Sequence, residues 1–258
     1  MGLAGKVAIV GGASQGIGFA IARALAREGA HVAMVARRAE RLAQSAERIR
    51  AECGGRIHAI AADIRVARDC ERIVEEALAQ FGGVDILVNN DGAPPLGELS
   101  GFDDAAWDRA VQQNLMSVVR LARGTVPSMR ERGGGRIVNI TALSARQPMA
   151  GFGLSVATWA GVIGFAKTLS LEVAKDAITV NTICPGRIAT GRLEKVFGAS
   201  ADDADAAKRE ELVRDIPLRR LGDPGEVAAL VVFLVSRWGG YITGSTLQVD
   251  GGRTGSLL

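Results

Sequence analysis

Short apolar segments and longer amphipathic segments alternate along the chain. The apolar segments are KVAIV (6–10), HVAMV (31–35), RIHAIAA (56–62), VDILVNN (84–90), GRIVNI (135–140), AITVNTI (177–183) and TLQVD (246–250). Their shortness and nearly continuous hydrophobicity are typical of strands that are buried on both faces. Strands of this kind, separated by helical segments, predict a parallel sheet whose connections are right-handed crossovers.

Apolar residues recur at helical spacing between these strands. Ile17, Ile21 and Leu25 show this spacing in the first intervening segment, and a long helical stretch is predicted from about Asp103 to Arg130. We therefore expect an α/β fold with a doubly wound, mostly parallel seven-stranded sheet and helices on both faces. One domain over residues 1–258 accounts for the whole pattern, which contains no internal repeat.

The composition changes between Gly191 and Asp215. This segment is polar, charged and rich in alanine, with GASADDADAAKREE at its centre. It is interpreted either as a mobile helical lid or insertion over a site, or as an exposed pair of helices.

The first chemical signal follows the first strand, in VAIVGGASQGIGFAIARALAREGA. Its glycines have GxxxGxG spacing and stand between a strand and an amphipathic helix. Glycines let the backbone approach a pyrophosphate closely, and the helix N-terminus offers unpaired N–H groups. We predict a Rossmann-type dinucleotide site here, rather than a merely structural turn. The predicted residues are Gly12, Ser14, Gln15, Gly16, Ile17 and Gly18.

The end of the second strand, MVARR, bears on the choice of dinucleotide. An acidic residue at this point would accept hydrogen bonds from the ribose of NAD and repel a 2′-phosphate, but the chain has Ala36, Arg37 and Arg38. Arginine pairs with phosphate through a bidentate fork. We expect Arg37 to bind the 2′-phosphate, so that NADP(H) is favoured over NAD(H), and Arg38 to begin the next helix as a solvated charge.

Composition and charge narrow the possible partners. The 31 basic and 28 acidic residues give a formal net charge of +3 and are dispersed, which disfavours nucleic acid. Cys53, Cys70 and Cys184 lack a CxxC pair, so neither a metal site nor a disulfide framework is expected. The sequence shows no signal-peptide pattern and no apolar run near the roughly 18 residues of a membrane span. We expect a cytoplasmic protein that binds a small-molecule substrate and neither nucleic acid nor membrane.

Seven motifs give the chain a resemblance to a known family. They are the glycine loop at 12–18, ADI at 62–64, NNDG at 89–92, QNLMS at 113–117, GRIVNIT at 135–141, VNTICPGRIAT at 180–190 and YITGSTLQVDGG at 241–252. In these motifs and their order the chain resembles the short-chain dehydrogenases/reductases from end to end. It is most similar to their 3-oxoacyl-[acyl-carrier-protein] reductase-like branch, and the resemblance implies the fold expected above and an oxidoreductase activity.

The resemblance also implies further cofactor contacts. These are Asp63 and Ile64 with the adenine ring, Asn89 and its neighbouring backbone with the adenosine ribose, and Gly186, Ile188 and Thr190 with the nicotinamide carboxamide. Asn114 would hold a structural water in the family's proton relay. Ile64 also suits a core position, and Thr190 also suits a helix cap.

The family's catalytic serine, tyrosine and lysine would fall on Ala142, Ser155 and Trp159 of this chain. The only tyrosine, Tyr241, belongs to another motif and cannot supply the missing one. The family's tyrosine protonates the developing alkoxide, because a nearby lysine lowers its pKa. A positioned acid contributes typically about 10²–10⁴-fold, so we expect simple ketone reduction to be slowed by about that factor.

Other polar groups near this position are candidate replacements. Arg146 would stabilise an oxyanion without giving up a proton, with a solvated loop arginine as the alternative. Ser155 would hydrogen-bond a substrate carbonyl or a ribose hydroxyl, or cap the following helix. Asp91 would tune the nicotinamide pocket or anchor the adjacent loop, and Cys184 is more typical of packing than of a nucleophile. Asn114, Ser155 and Arg146 are thus the candidate catalytic residues.

Two functions remain open from the sequence. One is an atypical NADP(H)-dependent oxidoreductase of unknown small-molecule substrate, for instance one with an activated or iminium-like double bond. The other is a catalytically inactive NADP(H)-binding homologue that acts as a sensor or partner subunit. A non-redox enzyme is disfavoured by the intact glycine loop. The resemblance further implies a homo-oligomer, a dimer or tetramer, through helices at roughly 103–130 and 153–174, unless these faces only cover the sheet.

Overall fold

One sheet of seven parallel strands forms the centre of the molecule. The computed structural model describes residues 1–198 and 206–255. The strands are β1 (Val7–Val10), β2 (His31–Ala36), β3 (Ile57–Ala61), β4 (Ile86–Asn90), β5 (Gly135–Ile140), β6 (Ile178–Pro185) and β7 (Thr246–Val249). Their order is β3-β2-β1-β4-β5-β6-β7, with every neighbouring pair parallel. The predicted strands and the doubly wound α/β fold are confirmed, with strand ends within two residues of the predicted ones.

Helices cover both faces of this sheet. They are α1 (Gly16–Arg27), α2 (Ala39–Cys53), α3 (Ala67–Phe81), α4 (Asp104–Ala110), α5 (Ser117–Glu131), α6 (Gly153–Val173), α7 (Gly191–Phe197), α8 (Ala206–Val213) and α9 (Pro224–Val235). Alternate residues of β1 pack into different cores, because side chains alternate along a strand. Val10 packs with Ile21 of α1 and Val231 of α9, whereas Ile9 packs with Ile73 of α3 and with residues of α5 and α6.

The stretch predicted as one long helix after Asp103 is continuous but not uniform. Asp103 caps α4 by accepting a hydrogen bond from the Ala106 amide at 2.8 Å. A π-helical turn, Val111–Met116, then separates α4 from α5. Such turns are rare and frequently lie at functional sites. This one carries the fully buried side chain of Asn114.

Helix α6 is the one described helix that is long and apolar enough, by length and composition, to cross a membrane; the apolar stretch extends to Asp176. Its inner residues Ala166 and Val173 pack with Ile178 and Val180 of β6. Packing against the sheet therefore accounts for part of its apolar character.

The segment between Gly191 and Asp215 contains α7 and α8. Leu193 of α7 packs against Leu212 of α8. Residues 199–205, the centre of the predicted lid or helix pair, lie outside the described residues. Helices α7 and α8 are compatible with both predictions for this segment, a lid or insertion over a site and an exposed pair of helices.

The sheet topology indicates where a ligand binds. Strands β2 and β3 extend the sheet to one side of β1, while β4 to β7 extend it to the other. In doubly wound sheets, ligands bind outside the carboxyl ends of the strands where the strand order reverses. The residues following β1 and β4 are therefore expected at the site.

Candidate cofactor groove and substrate pocket

A groove of about 660 Å³ lies at this reversal point. The predicted cofactor residues that line it are Gly12, Ser14, Gln15, Gly16, Ile17, Arg37, Asp63, Ile64 and Thr190. They come from the loops after β1, β2, β3 and β6, which the fold brings together. Gly18 lies beneath the loop as a buried residue of α1.

The glycine loop forms a close backbone cradle. Gly12 has φ +58°, and a Cβ there would lie 2.5 Å from Asn90 Nδ2 and 2.7 Å from Asn90 O. A Cβ on Gly18 would lie 2.4 Å from the carbonyl oxygen of Gly12. Only glycine fits these positions without a shift of the backbone. Helix α1 begins at Gly16, and no side chain caps its N-terminus. The cradle and the uncapped helix end fit the pyrophosphate of a dinucleotide.

The groove is rich in positive charge. Among the described residues that line it, the charged ones are Arg23, Arg37, Arg38, Arg41, Arg65, Arg192, Asp63, Asp91 and Asp223. Arg37 is exposed and forms no hydrogen bond or ion pair with any described residue. Its guanidinium is available for a phosphate group, whereas the end of β2, Ala36 to Arg38, carries no acidic residue that would accept hydrogen bonds from an NAD ribose.

The carboxylate of Asp63 is held by a residue that the sequence did not single out. Arg65 Nε donates to Asp63 Oδ1 at 3.0 Å, and Arg65 Nη2 donates to Asp63 Oδ2 at 2.5 Å. These hydrogen bonds, and to a smaller degree the charge of Arg37, lower the pKa of Asp63. Asp63 therefore remains an ionised acceptor in the groove.

Asn89 and Asn90 point in different directions. The side chain of Asn89 is 3% exposed and donates to Asn139 Oδ1 of β5 at 2.8 Å, so the structure does not bring it to the groove. Asn90 lines the groove instead and donates to the carbonyl oxygen of Gly11 at 3.1 Å. The period of two along a strand predicts this difference between neighbouring residues, but it does not tell which one faces the ligand.

A smaller and mainly apolar pocket of about 170 Å³ adjoins the groove. Residues that line both cavities are Ile17, Asn90, Asp91, Thr190 and Arg192. Gly186, Ile188 and Thr190, the predicted nicotinamide residues, all line the pocket. Leu193 and Val196 of α7 also line it, so this part of the predicted lid lies against the pocket.

Ala142 and Trp159 form part of the pocket wall. Trp159 is 7% exposed and packs with Val118 and Val162, and Ala142 lies against the same apolar cluster. A small side chain thus stands beside a large one. This part of the wall offers no cation and no acidic hydroxyl.

Ser155 is enclosed beneath this wall. It is fully buried, does not line either cavity, and its Oγ has no hydrogen-bond partner among the described residues. Helix α6 begins at Gly153 with Phe152 at its N-cap. The expectation that Ser155 caps this helix is therefore wrong, and the structure does not bring its hydroxyl to the pocket.

Asn114 connects the π-helical turn to α6. Its Nδ2 donates to Thr158 Oγ1 at 2.9 Å, and the Thr158 hydroxyl donates to the carbonyl oxygen of Leu154 at 2.8 Å. Asn114 does not line either cavity. In this structure it positions α6 at the residue before Trp159.

Arg146 and Cys184 face away from the pocket. Arg146 Nη1 donates to the carbonyl oxygen of Thr246 in β7 at 3.4 Å, and neither residue is among those that line the pocket. Burial raises the pKa of the Cys184 thiol, which lies 3.2 Å from Thr141 Oγ1. A buried, protonated thiol packs rather than attacks a substrate.

Asp91 lies where the groove and the pocket meet. Burial raises the pKa of its carboxyl group to about 7, against the opposing hydrogen bond from Ser117. Ser117 Oγ donates at 3.3 Å to Asp91 and at 2.5 Å to the carbonyl oxygen of Gln113, so its single hydrogen is shared. Among the described residues lining the pocket, Asp91 is the only carboxyl group, and none is a histidine, lysine or tyrosine. It is the group there that exchanges a proton near neutral pH.

No group of three or more histidine, cysteine, aspartate or glutamate side chains in residues 1–198 and 206–255 is arranged to hold a metal ion.

Comparison with known proteins is consistent with this geometry. Residues 12–254 match the family model described as enoyl-(acyl carrier protein) reductase. Dehydrogenase/reductase SDR family member 4 of Oryctolagus cuniculus is 36% identical over 256 residues, covering 99% of this chain and 96% of that protein. The 3-oxoacyl-[acyl-carrier-protein] reductase of Vibrio cholerae is 37% identical over 252 residues, covering 98% of each chain.

Solved structures agree over the full length. L-sorbose reductase from Gluconobacter frateurii, in complex with NADPH and L-sorbose, superposes with a TM-score of 0.95 at 38% identity. The match covers 100% of this chain and 99% of that one. With its glycine cradle at the strand-order reversal of a seven-stranded parallel sheet, the chain belongs to the short-chain dehydrogenase/reductase family of oxidoreductases.

Proposed function

We propose that this protein is an NADP(H)-dependent oxidoreductase that acts on a small molecule. The observation that carries the proposal is that an arginine-rich groove with a glycine floor opens into a small apolar pocket. Asp91 and Thr190 stand on the wall of both cavities. The groove has the shape and charge for a dinucleotide, and the pocket has room for a small substrate beside its nicotinamide end. The NADPH complex of the similar L-sorbose reductase supports this assignment.

NADPH supplies a hydride when it is bound. The residues of this chain hold the cofactor in place: the Gly12–Gly18 cradle and the α1 N-terminus would bind the pyrophosphate, and Arg37 would bind the 2′-phosphate. The apolar wall with Trp159 excludes water from the pocket. Asp91, protonated in part at neutral pH, holds a proton at the junction of the two cavities.

The proposed substrate class is inferred from the proton-donating groups that the described pocket wall lacks. In our proposal Ala142, Ser155 and Trp159 occupy the positions of the family's catalytic serine, tyrosine and lysine, so an alkoxide has no tyrosine to protonate it. An iminium-like double bond needs only the hydride, because reduction neutralises the cation. An activated carbon–carbon double bond takes the hydride at one carbon and a proton at the other, for which Asp91 is the available donor. The description of the matching family model as an enoyl reductase supports the second class.

The cofactor assignment is tested by fluorescence titration with NADPH and NADH. Arg37→Glu is expected to weaken NADPH binding by at least roughly 10- to 100-fold, the effect of losing a charged hydrogen bond, and to leave NADH binding unchanged or tighter, because an acidic residue there accepts hydrogen bonds from a ribose. Arg109→Glu, which reverses an exposed charge on α4 away from the groove, is the matched control. Preference of the unaltered protein for NADH would contradict the assignment.

The activity is tested by NADPH oxidation with a panel of ketones, enones and imines. Enones or imines are expected to be turned over at least about 10-fold faster than matched ketones, since they need less acid assistance. Faster ketone reduction would contradict the substrate class.

A catalytically inactive NADP(H)-binding homologue, acting as a sensor or partner subunit, is the second candidate. The enclosed Ser155 and the apolar contact of Ala142 with the Trp159 cluster favour it, because both remove hydroxyl groups from the pocket surface. NADPH binding without oxidation across the whole panel is the result expected of this candidate.

We also propose that the protein is a cytoplasmic homo-oligomer, a dimer or tetramer. The outward face of α6 carries the exposed residues Ala157, Ala160, Gly164 and Leu171, and Leu171 is 72% exposed. Small and apolar residues on one helix face suit close packing against a second copy. Sedimentation velocity is expected to give two or four times the chain mass of 26.9 kDa; a monomer would contradict this proposal.

A further inference from the structure

Two arginines on the pocket wall share one carboxylate that does not line the pocket. Arg187 follows β6, Arg253 follows β7 and Asp215 follows α8. Arg253 Nε donates to Asp215 Oδ2 at 2.8 Å, and Arg187 Nη1 pairs with Asp215 Oδ1. Arg187 Nη1 also donates to the carbonyl oxygen of Leu212 at 2.7 Å. Three distant segments of the chain thus converge on this cluster.

The arginines lie inward and the aspartate lies outward. Both arginine side chains are 13% exposed, whereas that of Asp215 is 46% exposed. Arg187 and Arg253 line the pocket, and Asp215 is absent from its lining. Burial, followed by the charge of Arg253, lowers the pKa of Arg187. The pair therefore presents a net positive charge to the pocket, and a negative group there would relieve it.

Among the described residues that line the pocket, positive charge remains in excess. Arg192 adds a third positive charge to the pocket lining, and Asp91 is the one acid among the described lining residues. Glu211, near Arg187, forms an ion pair with Arg214 at 3.3 Å.

Asp250 is occupied in its own loop and lines a second cavity, which Arg187 also borders. Its carboxylate accepts hydrogen bonds from the amides of Gly252 and Thr254, at 3.0 and 2.8 Å. Neither Asp250 nor Glu211 lines the substrate pocket.

Ser144 adds an unsatisfied polar group to the same pocket. It lines the pocket, is 3% exposed, and its Oγ has no hydrogen-bond partner among the described residues. A buried hydroxyl without a partner is costly, and an oxygen atom of a ligand would satisfy it. Met149 links this loop to the arginines, because its sulfur lies 3.8 Å from Arg253 Nη1.

We propose that Arg187 and Arg253 bind a carboxylate group of the substrate. The substrate is then a small organic acid that also carries the double bond to be reduced. Guanidinium groups bind carboxylates through paired, charge-assisted hydrogen bonds, which a neutral amide of the same shape cannot match. The inference that the substrate carries a reducible double bond rests on the proposed function, whereas recognition of the carboxylate depends only on the charges that line the pocket.

The test compares the binding of hexanoate and hexanamide by isothermal titration calorimetry. The two probes have nearly the same size and differ in charge. The unaltered protein is expected to bind hexanoate at least about 10-fold more tightly, the effect of a charged hydrogen bond. Arg253→Gln is expected to remove this preference, and Asp215→Asn to increase it, because the second change raises the net charge of the cluster. Arg130→Gln, which breaks the exposed Arg130–Asp176 ion pair away from the pocket, is the matched control.

Equal binding of the two probes by the unaltered protein would overturn the proposal. An equal loss of affinity for both probes in a folded Arg253→Gln variant would also overturn it, since that result indicates a general change in the shape of the pocket. Arg253→Lys retains the charge and is expected to keep part of the preference; thermal unfolding checks that each variant is folded. NADPH titration of the same samples separates this proposal from the cofactor assignment, because hexanoate preference without NADPH binding would overturn only the latter.

Discussion

The cofactor groove and the substrate pocket adjoin, yet they depend on different parts of the chain. The groove is formed largely by backbone: the cradle of Gly12 and Gly18 and the uncapped N-terminus of α1. The pocket is formed by side chains from segments as distant as Ile17 and Arg253. A backbone site requires particular residue types at a fixed local spacing, whereas a side-chain pocket can change residue by residue without loss of the fold.

The groove and the pocket also differ in the chemical groups that they present. The groove has a glycine cradle, an uncapped helix N-terminus and several arginines, which suit a dinucleotide. In the pocket, the Trp159 cluster with Ala142 beside it forms an apolar part of the wall. The molecule thus combines a groove that depends on backbone geometry with a pocket whose character depends on side-chain packing.

The largest expected effect is on the groove, from Gly18→Ala. The added Cβ would lie 2.4 Å from the Gly12 carbonyl oxygen, so the cradle must open. NADPH affinity is expected to fall by at least about 100-fold, as for the loss of two charged hydrogen bonds to the pyrophosphate. Fluorescence titration measures the change.

Gly101→Ala is the matched control for this substitution. Nothing lies within 4 Å of a Cβ at Gly101, and the residue lines neither cavity. Its NADPH affinity should equal that of the unaltered protein. A folded Gly18→Ala variant with unchanged affinity would show that the groove does not depend on the backbone cradle.

The next expected effect is a gain of ketone reduction in the pocket, from the triple change Ala142→Ser, Ser155→Tyr and Trp159→Lys. Lysine in place of Trp159 vacates volume and supplies a cation that lowers the pKa of the new phenol. Ketone reduction with NADPH is expected to rise by about 10²-fold or more. Because Ser155 is fully enclosed, Ser155→Tyr alone is expected to overpack the site and cost about 1–3 kcal/mol of stability.

The control for the triple change carries phenylalanine in place of the new tyrosine, with the other two changes kept. It has nearly the same volume but no acidic hydroxyl, so it should show no gain in ketone reduction. If the folded triple variant binds NADPH and gains nothing over this control, the pocket differs from a ketone reductase at further positions.

The sequence predicted the fold, and the structure brings most of the predicted cofactor residues to one groove, for a physical reason. Strands buried on both faces, helical spacing and the glycine loop are local patterns, and local patterns determine these features. Asn89 points away from the groove because side chains alternate along a strand. The sequence alone does not tell which of Asn89 and Asn90 faces the groove.

The pocket was less predictable, because burial and long-range pairing decide what its side chains do. The sequence placed Arg146 and Ser155 among the candidate groups, but one bonds to β7 and the other is enclosed. It gave no weight to Arg253, which lines the pocket and pairs with the distant Asp215. Asp91 was noted, but its raised pKa depends on enclosure that no local pattern shows.

The last expected effect concerns the pH dependence of stability at Asp91 and sharpens the comparison at the junction of the two sites. The pKa of Asp91 is about 7 in the folded protein and 3.8 ordinarily, so the folded state holds the proton more tightly. The unaltered protein therefore loses stability as the pH rises from about 4 to about 7, by up to about 4 kcal/mol. Asp91→Asn cannot ionise and should keep its stability over this range. Urea unfolding at pH 5 and pH 8 measures the difference.

Asp85→Asn provides a control with the opposite sign. Burial alone would raise the pKa of Asp85, but hydrogen bonds from Arg132, the Val7 amide and Lys6 lower it. Its stabilising charge is therefore complete above about pH 4 and is lost only as the pH falls below that value. Asp85→Asn should reduce stability equally at pH 5 and pH 8, whereas Asp91→Asn should change the difference between them. If the unaltered protein and Asp91→Asn show the same pH dependence, Asp91 does not carry a proton at neutral pH, and the pocket has no internal donor near its nicotinamide end.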